Sequence, residues 1–254
     1  MFPSFSRAEA VLLGAVLLLA LLAVFAPPLA QAPHFHDFAD QRSWLGLPCA
    51  LDVLSNLPFA LFGAWGLHVL GRVPATALPA AQRQLATLFF SGLILTALCS
   101  AWYHGAPDNA GLVVDRLGMT VAFAGLLGLG VASHVSTRAG RAFAATVLVL
   151  GPVSVAAWAT SGNLLPWALL QGGGLLLLLV LAVMNPWPGA LAVRWGLVVA
   201  IYAVAKGLEQ YDAVVFEWTG QLVSGHSLKH GVAAFAAWPA ISALHLLGQN
   251  ASQE

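Results

Sequence analysis

Three histidines and one aspartate are the residues of this sequence best suited to chemistry. His104 ends the segment Ser100-Ala-Trp-Tyr-His104, Asp115 follows eleven residues later, and His226-Ser-Leu-Lys-His230 lies near the other end of the chain. Two histidines at positions i and i+4 share one helix face and can bind one metal ion. A third histidine from a neighbouring helix would complete a three-ligand site with one open position, which is the pattern of catalytic zinc. We therefore predict Zn²⁺ as the metal, bound by His104, His226 and His230.

Ser100 and Asp115 are predicted to assist this metal. Ser100 precedes His104 by four residues, so both side chains share a helix face. Its hydroxyl group could stabilise an oxyanion, or it could bond the carbonyl group four residues earlier. Asp115 could act as a general base that activates water, form an ion pair, or support a histidine ligand. Its neighbour Arg116 is expected on a different helix face.

The composition predicts an all-α membrane protein. Of the 254 residues, 59% are hydrophobic and 8% are charged, and the mean hydropathy is +0.84. A helix that crosses a bilayer needs about 20 mostly apolar residues. Such runs predict a seven-transmembrane-helix bundle with an additional N-terminal transmembrane helix, with spans near 8–27, 50–71, 83–104, 112–134, 141–160, 164–184, 190–211 and 226–247.

The first segment has two interpretations. Arg7 precedes an apolar run, and Ala30-Gln-Ala32 resembles the cleavage site of a signal peptide. Residues 1–32 are thus predicted to be either a retained transmembrane helix or a signal segment. Residues 33–254 are predicted to form the seven-helix domain.

The arginines outside the predicted spans are unevenly distributed. Arg42 alone falls on the outer side, and six fall on the inner side: Arg7, Arg72, Arg83, Arg138, Arg141 and Arg194. This positive-inside bias places the amino terminus inside. In that orientation the predicted site residues lie at one depth in the outer leaflet, where ionisable groups by default mark function.

A second group of polar residues opens the predicted second span. Asp52, Ser55 and Asn56 could cap that helix, or they could brace the metal site. In the preceding loop, solvated side chains are expected, with a lid or an ion site as the alternative, at His34, His36, Asp37 and Asp40.

Five further residues have simpler expected roles. Lys206 and Glu209 are spaced to pair on a helix, and Lys229 is expected to face outward or to extend to the membrane interface. Cys49 and Cys99 are expected to be unpaired thiols.

Several functions are disfavoured. The formal net charge is zero, so there is no electrostatic case for a nucleic-acid partner. His226 and His230 share a helix face and cannot sandwich one haem. Only Lys206 or Lys229 could carry retinal, and a transporter would more often show internal repeats.

The set Ser100-x3-His104, Asp115 and His226-x3-His230 resembles the alkaline ceramidase family, a group of seven-helix membrane zinc hydrolases related to the progestin and adipoQ receptors. The segment Asp52-Val-Leu-Ser-Asn-Leu-Pro-Phe59 is also similar to the first core helix of that family. The resemblance covers roughly residues 36 to 247, and it implies zinc ligation by the three histidines and catalysis assisted by Ser100 and Asp115.

The resemblance does not extend to calcium. Animal and yeast members bind Ca²⁺ through an acidic loop and a nearby glutamate. Here the loop reads Asp37-Phe-Ala-Asp-Gln-Arg-Ser-Trp44, and Cys49 occupies the position of that glutamate. The compact loops look more like the bacterial branch, which implies a bacterial inner membrane with the site toward the periplasm.

The implied function is hydrolysis of the amide bond of a ceramide-like lipid that enters from the bilayer, which releases a fatty acid and a sphingoid base. The alternative is a seven-helix receptor or sensor with a structural zinc site. A fourth protein ligand, for which Cys49 is the candidate, would favour the sensor. The oligomeric state does not follow from the sequence.

Overall fold

The computed structural model describes residues 5–251, and these residues form helices and no β-strand. The terminal residues of the two predicted segments, 1–4 and 252–254, lie outside the described range. In chain order the helices are α1 (Arg7–Phe25), α2 (Ala50–Leu54), α3 (Leu57–Arg72), α4 (Ala80–Gly105), α5 (Asn109–His134), α6 (Thr137–Ser161), α7 (Leu165–Ala182), α8 (Trp195–Gln210), α9 (Asp212–Trp218), α10 (Gly225–Phe235) and α11 (Trp238–Ala251).

Within the described residues, seven helical segments are long and apolar enough to cross a membrane. They are α1, α2 with α3, α4, α5, α6, α7, and α10 with α11. The predicted span 190–211 is observed as α8, whose 16 residues extend about 24 Å at the α-helical rise. This length is below the roughly 30 Å of a hydrocarbon core. The all-α membrane class is confirmed.

Two predicted spans are interrupted near the site. Residues 50–71 and 226–247 were expected to be continuous, but α2 gives way to α3 at Ser55 and Asn56, and α10 gives way to α11 before Trp238. Pro58 and Pro239 follow these breaks. Proline has no backbone N–H, so the helical hydrogen bond at each position is lost.

Small residues bring α4 and α5 into close contact. A Cβ atom on Gly125 would lie 2.2 Å from the Phe89 nitrogen, and one on Gly92 would lie 2.4 Å from the Ala122 nitrogen. Glycine at such positions lets two membrane helices approach backbone to backbone. This contact sets Ser100, near the end of α4, beside the start of α5.

The first helix packs against α7 and is hydrogen-bonded to the start of α6. Ser6 and Glu9 form a capping box at its start. Glu9 is buried, and its carboxylate accepts hydrogen bonds from Arg138 at 2.7 Å and from the Ser136 hydroxyl at 2.7 Å. The assignment of residues 1–32 as a retained span or a signal segment stays a prediction.

Candidate metal centre

Three buried histidines converge from two helices. His104 lies in the last turn of α4, and His226 and His230 lie one turn apart on α10. One nitrogen from each ring lies within 4.8 Å of the others, and Nε2 of His104 is 3.3 Å from Nε2 of His226. The predicted grouping is confirmed, and these three residues could hold one metal ion.

The hydrogen bonds of His230 prepare its ring for a metal. The Ser55 hydroxyl donates to the Asp52 carbonyl oxygen at 2.9 Å and lies 2.7 Å from Nδ1 of His230. Because that hydroxyl has one hydrogen, its oxygen accepts from the Nδ1–H of His230. Nε2 of His230 is then left with a free lone pair, as a metal ligand requires.

His104 also fits a metal site. Its Nδ1 atom is buried without a hydrogen-bond partner among the described residues, and its other ring nitrogen faces His226. The converging atom is therefore Nε2, and the 3.3 Å between the two Nε2 atoms suits two ligands of one ion at metal–nitrogen distances of about 2.0–2.1 Å. Three imidazoles suit Zn²⁺, Cu²⁺, Fe²⁺ or Ni²⁺, so the donor set fits a transition metal without identifying it.

The N-terminus of α10 is held by the segment that opens α2. The Ser224 hydroxyl accepts from the Ser227 backbone N–H at 2.9 Å and so caps the helix. The Asp52 carboxylate is fully buried and accepts from the Ser227 hydroxyl at 2.6 Å and from the Ser224 hydroxyl at 3.3 Å. Asn56 donates to the Asp52 carbonyl oxygen at 2.8 Å. Of the two predicted roles for this segment, the structure therefore favours bracing the site over capping α2.

Ser100 and Asp115 lie beside the three histidines. Both are buried, and both line the same internal cavity as His104, His226 and His230. Oδ1 of Asp115 has no hydrogen-bond partner among the described residues, so this oxygen is free to accept a proton or a hydrogen bond. The end of α4, the starts of α5 and α10, and the segment that opens α2 therefore lie together, as the prediction of one common depth requires.

The cavity has a volume of about 350 Å³ and is mostly apolar. Its walls come from α3, α4, α5, α7, α8 and α10, with Phe35 of the first loop at one side. Deep apolar walls with a few convergent polar groups are typical of a site for a small, largely hydrophobic ligand.

The loop that precedes α2 covers the histidines, which differs from the expected solvated loop. The Phe38 ring is buried, with its centroid 4.8 Å from that of His104 and 4.3 Å from that of His226. His36 bonds the Tyr103 hydroxyl at 2.8 Å. The loop is therefore part of the site wall, which fits the alternative of a lid. His34 and Asp37 are exposed, as expected, and their side chains lie 2.8 Å apart.

Asp40 in this loop is also buried, against expectation. Its carboxylate accepts two hydrogen bonds from the Arg42 side chain, at 2.8 Å and 2.6 Å. These bonds with Arg42 hold the pKa of the Asp40 carboxyl group below its usual range, although burial opposes the shift. The ion pair is local to the loop, and Arg42 also donates to the Leu222 carbonyl oxygen at 3.2 Å, which ties the loop to the segment before α10.

The expectation that Lys229 faces outward is wrong. Lys229 lines the cavity, and its ammonium group donates to Glu209 at 2.6 Å. A position on a helix wheel does not show where the neighbouring helices lie, and here α8 packs against α10. The predicted pairing of Lys206 with Glu209 is confirmed.

Asp212 is a positioning residue that the sequence analysis did not assign to the site. Its carboxylate accepts from the His226 backbone N–H at 2.7 Å and from the Ala39 backbone N–H at 2.9 Å. It therefore joins the covering loop to the helix that carries two of the histidines. Asp212 lies 14 residues before His226, at the start of α9, so spacing within one helix gave no signal for this contact.

The two cysteines are unpaired, as predicted. Burial raises the pKa of the Cys49 thiol, which keeps it protonated near neutral pH. Among the described residues, the group of converging metal-binding atoms consists of the three histidines, and Cys49 does not belong to it.

Comparison of the sequence with models of protein families gives no match, and comparison with curated proteins gives none either.

Proposed function

We propose that this protein is an integral-membrane, zinc-dependent hydrolase of the alkaline ceramidase type, which cleaves the amide bond of ceramide-like lipids to a sphingoid base and a fatty acid. The observation that carries the proposal is the convergence of three buried histidines, Ser100 and Asp115 on one apolar cavity. Three metal ligands with a neighbouring carboxylate are the groups that metal-assisted hydrolysis requires.

Zinc is the proposed metal because three neutral imidazoles and an open position match the ligand set of catalytic zinc sites. His104, His226 and His230 would hold it. When bound, Zn²⁺ would polarise a carbonyl group and lower the pKa of a water molecule toward ~7.

Asp115 and Ser100 supply the proposed proton transfer and charge stabilisation. Asp115 would take a proton from the attacking water and later deliver it to the amide nitrogen as the carbon–nitrogen bond breaks. The Ser100 hydroxyl would donate a hydrogen bond to the carbonyl oxygen as negative charge develops there. One water molecule is consumed, its hydroxyl group ends on the fatty acid, and its proton ends on the amine.

The apolar walls support a lipid substrate. Cavity side chains such as Leu93, Phe123 and Leu175 offer surface to an acyl chain and little to a water-soluble amide. Since the protein lies in a bilayer, the lipid amide would enter from the membrane rather than from water.

The proposed location is a bacterial inner membrane, with the site toward the periplasm. Two arginines of the predicted inner side contact residues near the starts of other helices. Arg141 of α6 bonds Gln84 of α4, and Arg138 of α6 pairs with Glu9 of α1. The covering loop, with Arg42, lies at the histidine end. This arrangement agrees with the positive-inside bias of the sequence.

The test is release of fatty acid from ceramides by the purified protein in detergent, together with bound zinc. His230→Ala should abolish turnover and reduce bound zinc, whereas His68→Ala, an exposed histidine of α3, should preserve both. Full turnover by His230→Ala would contradict the proposal, and so would a zinc-loaded wild type that releases no fatty acid from any lipid amide.

The alternative is a receptor or sensor with a structural zinc ion. Structural zinc sites normally have four protein ligands. The converging group within residues 5–251 has three, which favours the hydrolase.

A further inference from the structure

Arg116 is a buried cation on the wall of the cavity. Arg116 is 3% exposed and directly follows Asp115 on α5. Nη2 donates to the Gln31 side-chain oxygen at 2.7 Å, but Nη1 is buried without a hydrogen-bond partner among the described residues. No carboxylate of residues 5–251 forms a salt bridge with it.

The guanidinium group is held in place by aromatic rings. Its central carbon lies 4.1 Å from the centroid of Trp158, 5.7 Å from that of Phe35 and 5.8 Å from that of Trp167. These rings favour a cation and orient its plane, but they leave the N–H donors unsatisfied. A guanidinium group in this setting presents a fixed fork that matches a carboxylate, phosphate or sulfonate group.

The charges around the cavity also favour an anion. The lining side chains include three cations, Arg116, Lys206 and Lys229, and two carboxylates, Asp115 and Glu209. Glu209 is already shared between the two lysines. Arg116 is thus the cation of this lining that has no carboxylate partner, and a buried charge without a partner is costly unless a ligand supplies one.

We infer that Arg116 is a recognition site for the negatively charged headgroup of a lipid that occupies this cavity. Its free Nη1–H bonds would pair with an anionic oxygen, while the apolar walls would hold the chain. If that lipid is the substrate, it is an anionic lipid amide rather than a neutral one. This last step rests on the proposed function, whereas anion binding at Arg116 does not.

The experiment compares hexadecyl phosphate with its neutral dimethyl ester. Both carry the same chain, and neither contains an amide bond, so the result does not depend on hydrolysis. Apparent affinities follow from the rise in thermal stability of the zinc-loaded full chain as each probe is added. The proteins are the wild type, Arg116→Gln, Arg116→Lys and, as control, Arg141→Gln, which removes an arginine bonded to Gln84 outside the cavity.

The wild type and Arg141→Gln should bind the phosphate at least tenfold more tightly than the ester. Arg116→Gln should reduce this preference below about threefold, and Arg116→Lys, which keeps a cation, should retain part of it. Equal binding of the two probes by the wild type, or an undiminished preference in Arg116→Gln, would overturn the inference. If Arg116→Gln does not fold, a reduced preference for the phosphate in a folded Arg116→Lys supports the assignment, and an unchanged preference there overturns it.

Inorganic phosphate serves as the third probe, because it has the same charge without a chain. It should stabilise the protein only at concentrations at least a hundredfold higher than hexadecyl phosphate. Equal stabilisation would overturn the lipid assignment and leave a site for a free anion. A failure of the proposed hydrolase would appear separately, as absence of fatty acid release from any amide.

Discussion

The hydroxyl oxygen of Ser55 lies 2.7 Å from Nδ1 of His230 and accepts a hydrogen bond from its N–H group, because the single hydroxyl hydrogen of Ser55 is donated to the Asp52 carbonyl oxygen. The two residues are 175 positions apart in the chain. This contact fixes the tautomer of His230 and turns its Nε2 toward the other histidines. Such supporting hydrogen bonds orient metal ligands and raise their basicity.

Replacement of Ser55 should therefore weaken metal binding without removing a ligand. We expect Ser55→Ala to lower zinc affinity by roughly ten- to a hundredfold, measured by competition with a chelator. Ser55→Thr keeps the hydroxyl group and should stay close to the wild type. An unchanged zinc affinity in Ser55→Ala would show that other contacts orient His230.

Asp212 links the covering loop to α10, and its replacement should loosen both. Asp212→Ala removes the acceptor of the Ala39 and His226 backbone N–H groups, and each buried donor left unsatisfied costs about 1–3 kcal/mol. We expect a lower melting temperature and faster amide hydrogen exchange at residues 36–48 and at His226. Asp37→Ala, at an exposed loop position, is the control and should change neither quantity noticeably. Unaltered exchange of the loop in Asp212→Ala would refute this link.

Asp115 should affect turnover and leave metal binding intact. If the proposed hydrolysis is correct, Asp115→Asn should lower kcat by roughly 10²–10⁴-fold, because the amide cannot accept the proton of water. Zinc content should remain within twofold of the wild type, since Asp115 is not one of the three converging ligands. The measurements are fatty acid release and bound zinc on the same preparation, and a large loss of zinc would reassign Asp115 to support of a ligand.

The ion pair between Asp40 and Arg42 should give stability that depends on pH. The Arg42 guanidinium lowers the pKa of the buried Asp40 carboxyl group in the folded protein. The stabilisation is therefore present above the pKa of the unfolded chain, about 3.9, and is lost as pH falls through the lower pKa of the folded state. The difference in melting temperature between wild type and Arg42→Gln should be largest near pH 7 and shrink below about pH 4.

Arg141→Gln is the matched control for this profile, because the partner of Arg141 is the neutral side chain of Gln84. Its difference from the wild type should not vary over the same pH range. A difference for Arg42→Gln that stays constant down to pH 3 would mean that the pair does not contribute through the charge of Asp40.

Some features of the site follow from the sequence because they depend on spacing within one helix. His226 and His230 share a face of α10, and Ser100 and His104 share a face of α4, since residues four apart lie one turn apart. The apolar runs predict the membrane bundle for a similar reason, because bilayer thickness sets the length of a span. Alternation of spans across the membrane then brings the polar ends of distant helices to one depth.

Other features depend on which helices are neighbours, and helical spacing does not contain that information. The wheel of α10 suggested an outward Lys229, but the packing of α8 turns it to Glu209 in the cavity. Three contacts join residues far apart in the chain: Ser55 with His230, the Phe38 ring with two histidines, and Arg116 with Gln31. The amino-acid sequence by itself determined the membrane class and the pairs of site residues that share a helix face. Tertiary packing decided what covers, orients and charges the site, because these contacts arise between elements and not within them.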